Sequence, residues 1–173
     1  MTTGVAPRRV LGIDPGLAVT GYGVVEELAD RRGAGRLIVM GTIRSKPSMP
    51  RADRLARIFD GVAALIEEHA PSELAIEQSF VSHNAKSALA LGEARSAAMV
   101  AAAKAGLLVT EFAPTEIKES VAGWGGAPKE QVQEMVMMQL ELDELPSPHD
   151  AADAIAVALT RLAAARFEDA AAR

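Results

Sequence analysis

Two short apolar runs open the pattern. Residues 9–14 carry Val10, Leu11 and Ile13 and are broken by Pro15-Gly16; residues 19–27 follow with Tyr22, Val24 and Val25. The stretch Asp30-Arg31-Arg32-Gly33-Ala34-Gly35 is polar and glycine-rich, the composition of a hairpin turn, and Leu37-Ile38-Val39-Met40 resumes as a third strand. Three strands joined by short turns predict an antiparallel meander. The period then changes. Over residues 52–69 the positions Leu55, Ile58, Phe59, Val62, Leu65 and Ile66 recur at three and four, which predicts an amphipathic helix stopped by Pro71. A short strand at 73–78, an alanine-rich helix at 86–105 and a fifth strand at 107–112 come next. Pro114 opens a short helical turn with Ile117 and Val121, and residues 123–128 form a glycine-rich loop. Helix is expected from Lys129 to about Leu142 and from His149 to about Phe167, with the alanine-rich tail fraying.

A strand–helix–strand unit within one sheet implies parallel neighbours and a right-handed crossover. The expectation is an α/β fold: a mixed five-stranded sheet with helices on both faces, in one domain over 1–173, with 1–7 and about 168–173 flexible. Composition agrees, since 173 residues with 49% hydrophobic and 24% charged residues are ordinary for one globular unit. No cysteine is present, which excludes disulfides, thiolate metal sites and a cysteine nucleophile. No apolar run reaches the roughly 18–20 residues of a membrane span, so a cytoplasmic protein without membrane contact is expected. The net charge of −5 and only six aromatic residues argue against a broadly basic or base-stacking surface. A local site can overrule such averages.

Three places carry candidate chemistry. Asp14 ends an apolar strand in Leu11-Gly12-Ile13-Asp14-Pro15-Gly16, where open sheets bind ligands, and Gly16 permits close backbone approach to a phosphate; an Asp-Pro-Gly turn is the competing reading. Glu77 ends the strand Ala75-Ile76-Glu77-Gln78 in the same way, and the two carboxylates meet if their strands are neighbours. Asp150 and Asp153 lie three apart at a helix start and share a face. Acids there satisfy the helix dipole, but the small and apolar residues around them belong to a packed helix, where acids are costly unless they bind something positive. Four carboxylates without a sulfur ligand form a hard oxygen site for Mg2+ or Mn2+ rather than zinc. Two such ions activate a water and stabilise the leaving oxygen of a phosphodiester.

Gly12-Ile13-Asp14-Pro15-Gly16, Ile76-Glu77-Gln78, Asn84 with Ser87-Ala88-Leu89, Leu91-Gly92-Glu93-Ala94-Arg95 and Asp150-Ala151-Ala152-Asp153-Ala154 together resemble the RuvC family of Holliday-junction resolvases. The match runs in order along essentially the whole chain. The resemblance implies a ribonuclease-H-like fold and a homodimer that makes paired, metal-dependent nicks in four-way junction DNA during recombination and repair. By position, it implies that Asp14, Glu77, Asp150 and Asp153 hold two divalent ions, Mg2+ or Mn2+, and that Lys129 and Lys118 bind substrate and stabilise charge on the phosphate. Phe80 matches an aromatic that wedges against bases near the crossover; a core phenylalanine is its competing reading. Lys86 and Arg95 are further DNA-contact candidates, in a stretch (81–104) with a local charge of +2. The resemblance also implies a dimer seam around the alanine-rich helix, and a branch-migration motor, RuvA and RuvB, as partner.

Departures from the pattern are His149, which directly precedes Asp150, and Trp124, which stands where a smaller loop residue is expected. One residue along a helix is about 100° of rotation, so His149 does not simply replace Asp150 and reads as a helix-start residue. Trp124 is either a DNA-contacting tip or a loop anchor. Rival functions are a small actin-like phosphohydrolase, which needs two lobes where this chain has room for one, and a non-catalytic junction scaffold, which predicts missing acids.

Overall fold

A computed structural model of the chain describes residues 7–28, 35–78 and 84–172. The strands are β1 (Arg9–Asp14), β2 (Val19–Glu27), β3 (Gly35–Arg44), β4 (Glu73–Glu77) and β5 (Leu108–Phe112), in the order β3-β2-β1-β4-β5. β1, β2 and β3 pair antiparallel; β1 with β4 and β4 with β5 pair parallel. The helices are α1 (Arg51–His69), α2 (Ala85–Lys104), α3 (Pro114–Ala122), α4 (Lys129–Gln139) and α5 (His149–Ala171).

The sheet is covered on both faces, which is why its central strands read as nearly unbroken apolar runs. Strand alternation divides them between two cores. Leu11, Ile13, Leu74 and Ile76 face α1 and α2, whereas Val10, Val25 and Ala75 face α5, with α3 and α4 packed outside it. On α2, Ala94, Ala98, Ala101 and Ala102 form the buried stripe. Asn84 caps that helix by accepting a 3.0 Å hydrogen bond from the Lys86 amide.

The α5 face of the sheet is built on glycine. Gly12 and Gly23 are register partners, and Gly21 pairs with Asp14. A Cβ on Gly12 would lie 2.0 Å from the Ala154 carbonyl oxygen, and one on Gly21 would lie 1.9 Å from that of Asp150. Helix backbone occupies the space that side chains would take. Glycine weakens a strand by its entropy, and here it returns a close helix–sheet contact. Ala151, Ala152 and Ala154 are fully buried at that contact.

Several boundaries differ from expectation. α3 is a nine-residue helix rather than a short turn, started by Pro114 at its first position and by Glu116, whose carboxylate accepts a 2.6 Å bond from the Ala113 amide. α4 stops at Gln139, before Leu142, with Glu141 in the left-handed region at φ 51°. α5 continues to Ala171 instead of fraying after Phe167. Its last turns are held by ion pairs from Arg161 to Glu168 (2.8 Å) and from Arg8 to Asp169 (3.1 Å). The expected hairpin turn lies largely outside the described residues, as do residues 1–6. Among the described residues, no helix is long and apolar enough to cross a membrane.

Candidate active site

The site lies at the carboxyl edge of β1 and β4. These strands are parallel neighbours in register through Ile13 and Ile76, so Asp14 and Glu77, the next residues on each, stand side by side. Alternation from Gly12 and Ala75 points both toward the α5 face. The first turn of α5 lies on the same edge, because Gly21, the partner of Asp14, admits the backbone of Asp150. Distant acids are therefore brought together by one strand pairing and one glycine contact.

Their proximity is visible in the electrostatics. Burial, reinforced by the charges of Glu77, Asp153 and Asp150, pushes the Asp14 carboxyl from 3.8 up to about 8; Lys129 opposes the shift. Glu77 is also raised, first by burial and then by Asp153, while Lys129 and Lys118 pull it down. Like charges that cannot all ionise together in a shielded place leave a site short of positive charge. That is the condition a bound cation relieves. The acids nevertheless do not form a closed cage: among the described residues, no three His, Cys, Asp or Glu side chains are gathered as a ready-made set of metal ligands. They share a field while their side chains stay apart, with the Lys129 ammonium 2.5 Å from an Asp153 oxygen. Burial lowers the pKa of Lys129, but its bond to Asp153 and the charges of Asp153, Asp14 and Asp150 outweigh that and raise it.

Two rungs join α4 to α5. Lys129 meets Asp153, and the Gln133 side-chain nitrogen lies 2.6 Å from Nδ1 of His149. Lys129 and Gln133 are four apart on α4, as are His149 and Asp153 on α5, so the helices run antiparallel with both rungs on facing stripes. His149 thus begins α5, as expected, with its Nδ1 against the Gln133 side-chain amide. Gln133 is only 5% exposed and was not legible as a site residue. A polar residue one helical turn after Lys129 was the available signal. Gly12 and Gly21 were likewise legible only as glycines. Gly16 serves its own turn: a Cβ there would lie 2.2 Å from the Val19 carbonyl, and its oxygen accepts from the Thr20 hydroxyl at 2.8 Å. The close approach seen there is to the Val19 carbonyl.

The other expected residues divide. Lys118, on α3, is half-buried and its charge reaches Glu77. Lys86 is exposed in the first turn of α2. Arg95 is turned toward β5, where its guanidinium is ion-paired with Glu111. Phe80 lies outside the described residues. Trp124 is exposed in the loop between α3 and α4.

Residues 10–161 match the family model described as crossover junction endodeoxyribonuclease RuvC. A relative so named from Halorhodospira halophila is 53% identical over 151 residues, covering 87% of this chain and 87% of its own length. Another from Moorella thermoacetica is 49% identical over 150 residues, covering 87% and 88%. Among solved structures, T. thermophilus RuvC in complex with a Holliday junction substrate superposes with a TM-score of 0.87 at 36% identity, covering 93% of this chain and 96% of that one. The yeast mitochondrial Holliday junction resolvase Ydc2 shares the fold, with a TM-score of 0.66 at 13% identity.

Proposed function

The chain belongs to the RuvC family of crossover junction endodeoxyribonucleases, with its ribonuclease-H-like sheet, and from that premise we propose that it resolves four-way DNA junctions by paired hydrolytic nicks. The observation that carries this reading is the convergence of Asp14, Glu77, Asp150 and Asp153 on one sheet edge, with Lys129 against Asp153.

Nucleases of this family depend on divalent metal. Asp14, Glu77, Asp150 and Asp153 are the residues that would hold it, and their all-oxygen chemistry suits two ions of Mg2+ or Mn2+. Bound there, the ions would supply an activated water and neutralise the charge of the leaving oxygen. The chain's own groups do the rest. Lys129 presents an ammonium beside the acids, where a scissile phosphate gathers negative charge, and Lys118 approaches from α3 toward Glu77. The phosphate displaces Lys129 from Asp153, exchanging one anion for another on the same ammonium. Phe80, three positions after Glu77 in sequence, is assigned the wedge role at the crossover.

Paired cuts require paired sites. We assign the dimer seam to the outer face of α2, where Leu89 (59% exposed) and Val100 (51% exposed) project beside Leu55 and Phe59 of α1. A two-fold axis through that face gives two equivalent sites for the two equivalent strands of a junction. RuvA and RuvB are the proposed partners in branch migration, and the proposed location is the cytoplasm.

Incubation with a synthetic four-way junction and, in parallel, linear duplex tests the reading. Expected are symmetric nicks in the junction alone, stopped by a chelator and restored by Mg2+ or Mn2+. Metal-independent cutting, or equal cutting of the duplex, would refute it.

A further inference from the structure

We propose that Trp124 is a nucleobase-contacting residue of the substrate site, its indole stacking on an unpaired or exposed base of the strand held by Lys129. The inference rests on the junction-resolving reading above. It adds a residue to the substrate surface.

The loop at 123–128 is built to present this ring. Gly123, at φ 86°, turns the chain out of α3, and Gly125 lies against the Thr115 carbonyl, where a Cβ would stand 3.3 Å away. A Cβ on Gly126 would fall 2.2 Å from Cζ3 of Trp124, so the ring rests directly on that glycine's backbone. The Ala127 amide donates to the Trp124 carbonyl at 3.2 Å, and the indole N–H reaches Gln131 at 3.4 Å. Gln131 belongs to the same first turn of α4 that begins with Lys129. The loop's apolar anchor is Ala127, which is buried, whereas Trp124 remains 53% exposed.

A tryptophan that served packing would be covered, since this residue is highly buried on average. This one has backbone under part of its ring and solvent over the rest. The loop also joins the two helices that supply lysines to the acids, Lys118 on α3 and Lys129 on α4. A strand whose phosphate is held between those lysines and the carboxylates therefore has its flanking nucleotides at the loop. An aromatic face there binds any base, because every base has a π-face; junction affinity gains and sequence preference does not.

The chain contains one tryptophan, so its emission reports on this ring alone. Titrating full-length, metal-free protein with a four-way junction is expected to quench that emission and shield the ring from acrylamide, with gel shift read on the same samples. Trp124→Ala is expected to weaken junction binding about tenfold, within the range for one stacked base, with Trp124→Phe restoring most of it and neither changing the melting temperature. Wild-type protein that shifts the junction with unchanged emission and shielding overturns this inference alone. So does a Trp124→Ala variant that binds as wild type, or one that melts early without rescue by Phe. Failure of the wild type to shift the junction overturns the functional reading as well.

Discussion

β4 carries two acids four residues apart on the same face, Glu73 and Glu77, and α5 passes over both. The spans match: four strand residues cover roughly 13 Å and the eight helical residues from Asp153 to Arg161 roughly 12 Å. At one end the helix offers a cation. Arg161, 4% exposed at its side chain, donates from Nε to Glu73 at 2.5 Å, and Arg8 reaches the other carboxylate oxygen at 3.0 Å. At the other end the helix offers Asp153, whose charge is the strongest pressing on Glu77. One end of this interface is neutralised within the chain. The other is left with excess negative charge that only something from outside can balance, and that imbalance marks the site more sharply than any single residue.

The comparison can be broken from either end. The largest effect on activity is expected at the uncompensated end: Asp14→Asn should reduce junction cleavage to background while leaving junction binding largely intact, measured by gel shift beside cleavage. Because it removes one of several crowded charges, the same variant should melt higher than wild type when metal is absent and the pH is above about 8. At the neutralised end the largest effect is on stability. Glu73→Gln takes the more buried of its two carboxylates from Arg161, leaving Glu168, and should cost roughly 1–3 kcal/mol in urea unfolding, with cleavage by the folded protein unchanged.

A pH series sharpens the contrast. In the metal-free native state Asp14 holds its proton up to about 8, whereas the unfolded chain releases it near 3.8. Between those values the native state binds more protons, so stability falls as pH rises through the window and levels off above it. Melting curves from pH 5 to 9 should show that decline, smaller with Mg2+ or Mn2+ present and smaller again in Asp14→Asn. The smallest effect is expected at the second rung: Gln133→Leu removes the hydrogen-bond partner of His149 and should cost about 1 kcal/mol, with a modest slowing of single-turnover cleavage as the α4–α5 contact beside Lys129 loosens.

Much of this was legible in the chain. The three- and four-residue spacing of Leu55, Ile58, Val62 and Leu65 marked α1, and Asp150 and Asp153 shared a helix face by count alone. Where expectation failed, long-range contacts had decided. The end of α5 looked like a fraying alanine tail, yet Arg8 holds Asp169 across 161 positions of sequence. Arg95, a DNA-contact candidate by sequence, also has a partner that chain order does not show, the Glu111 carboxylate on β5.

By itself the sequence determined the periodicity of each element, the acids at strand ends and the glycines spaced along β1 and β2, because these depend on local backbone geometry and alternation. Only the tertiary structure decided that α5 backbone fills the space above Gly12 and Gly21. Only it decided that Glu73 meets an arginine 88 positions away while Glu77 meets an aspartate. Charge compensation depends on which groups are brought within a few ångströms in a shielded place, and chain order does not specify that distance.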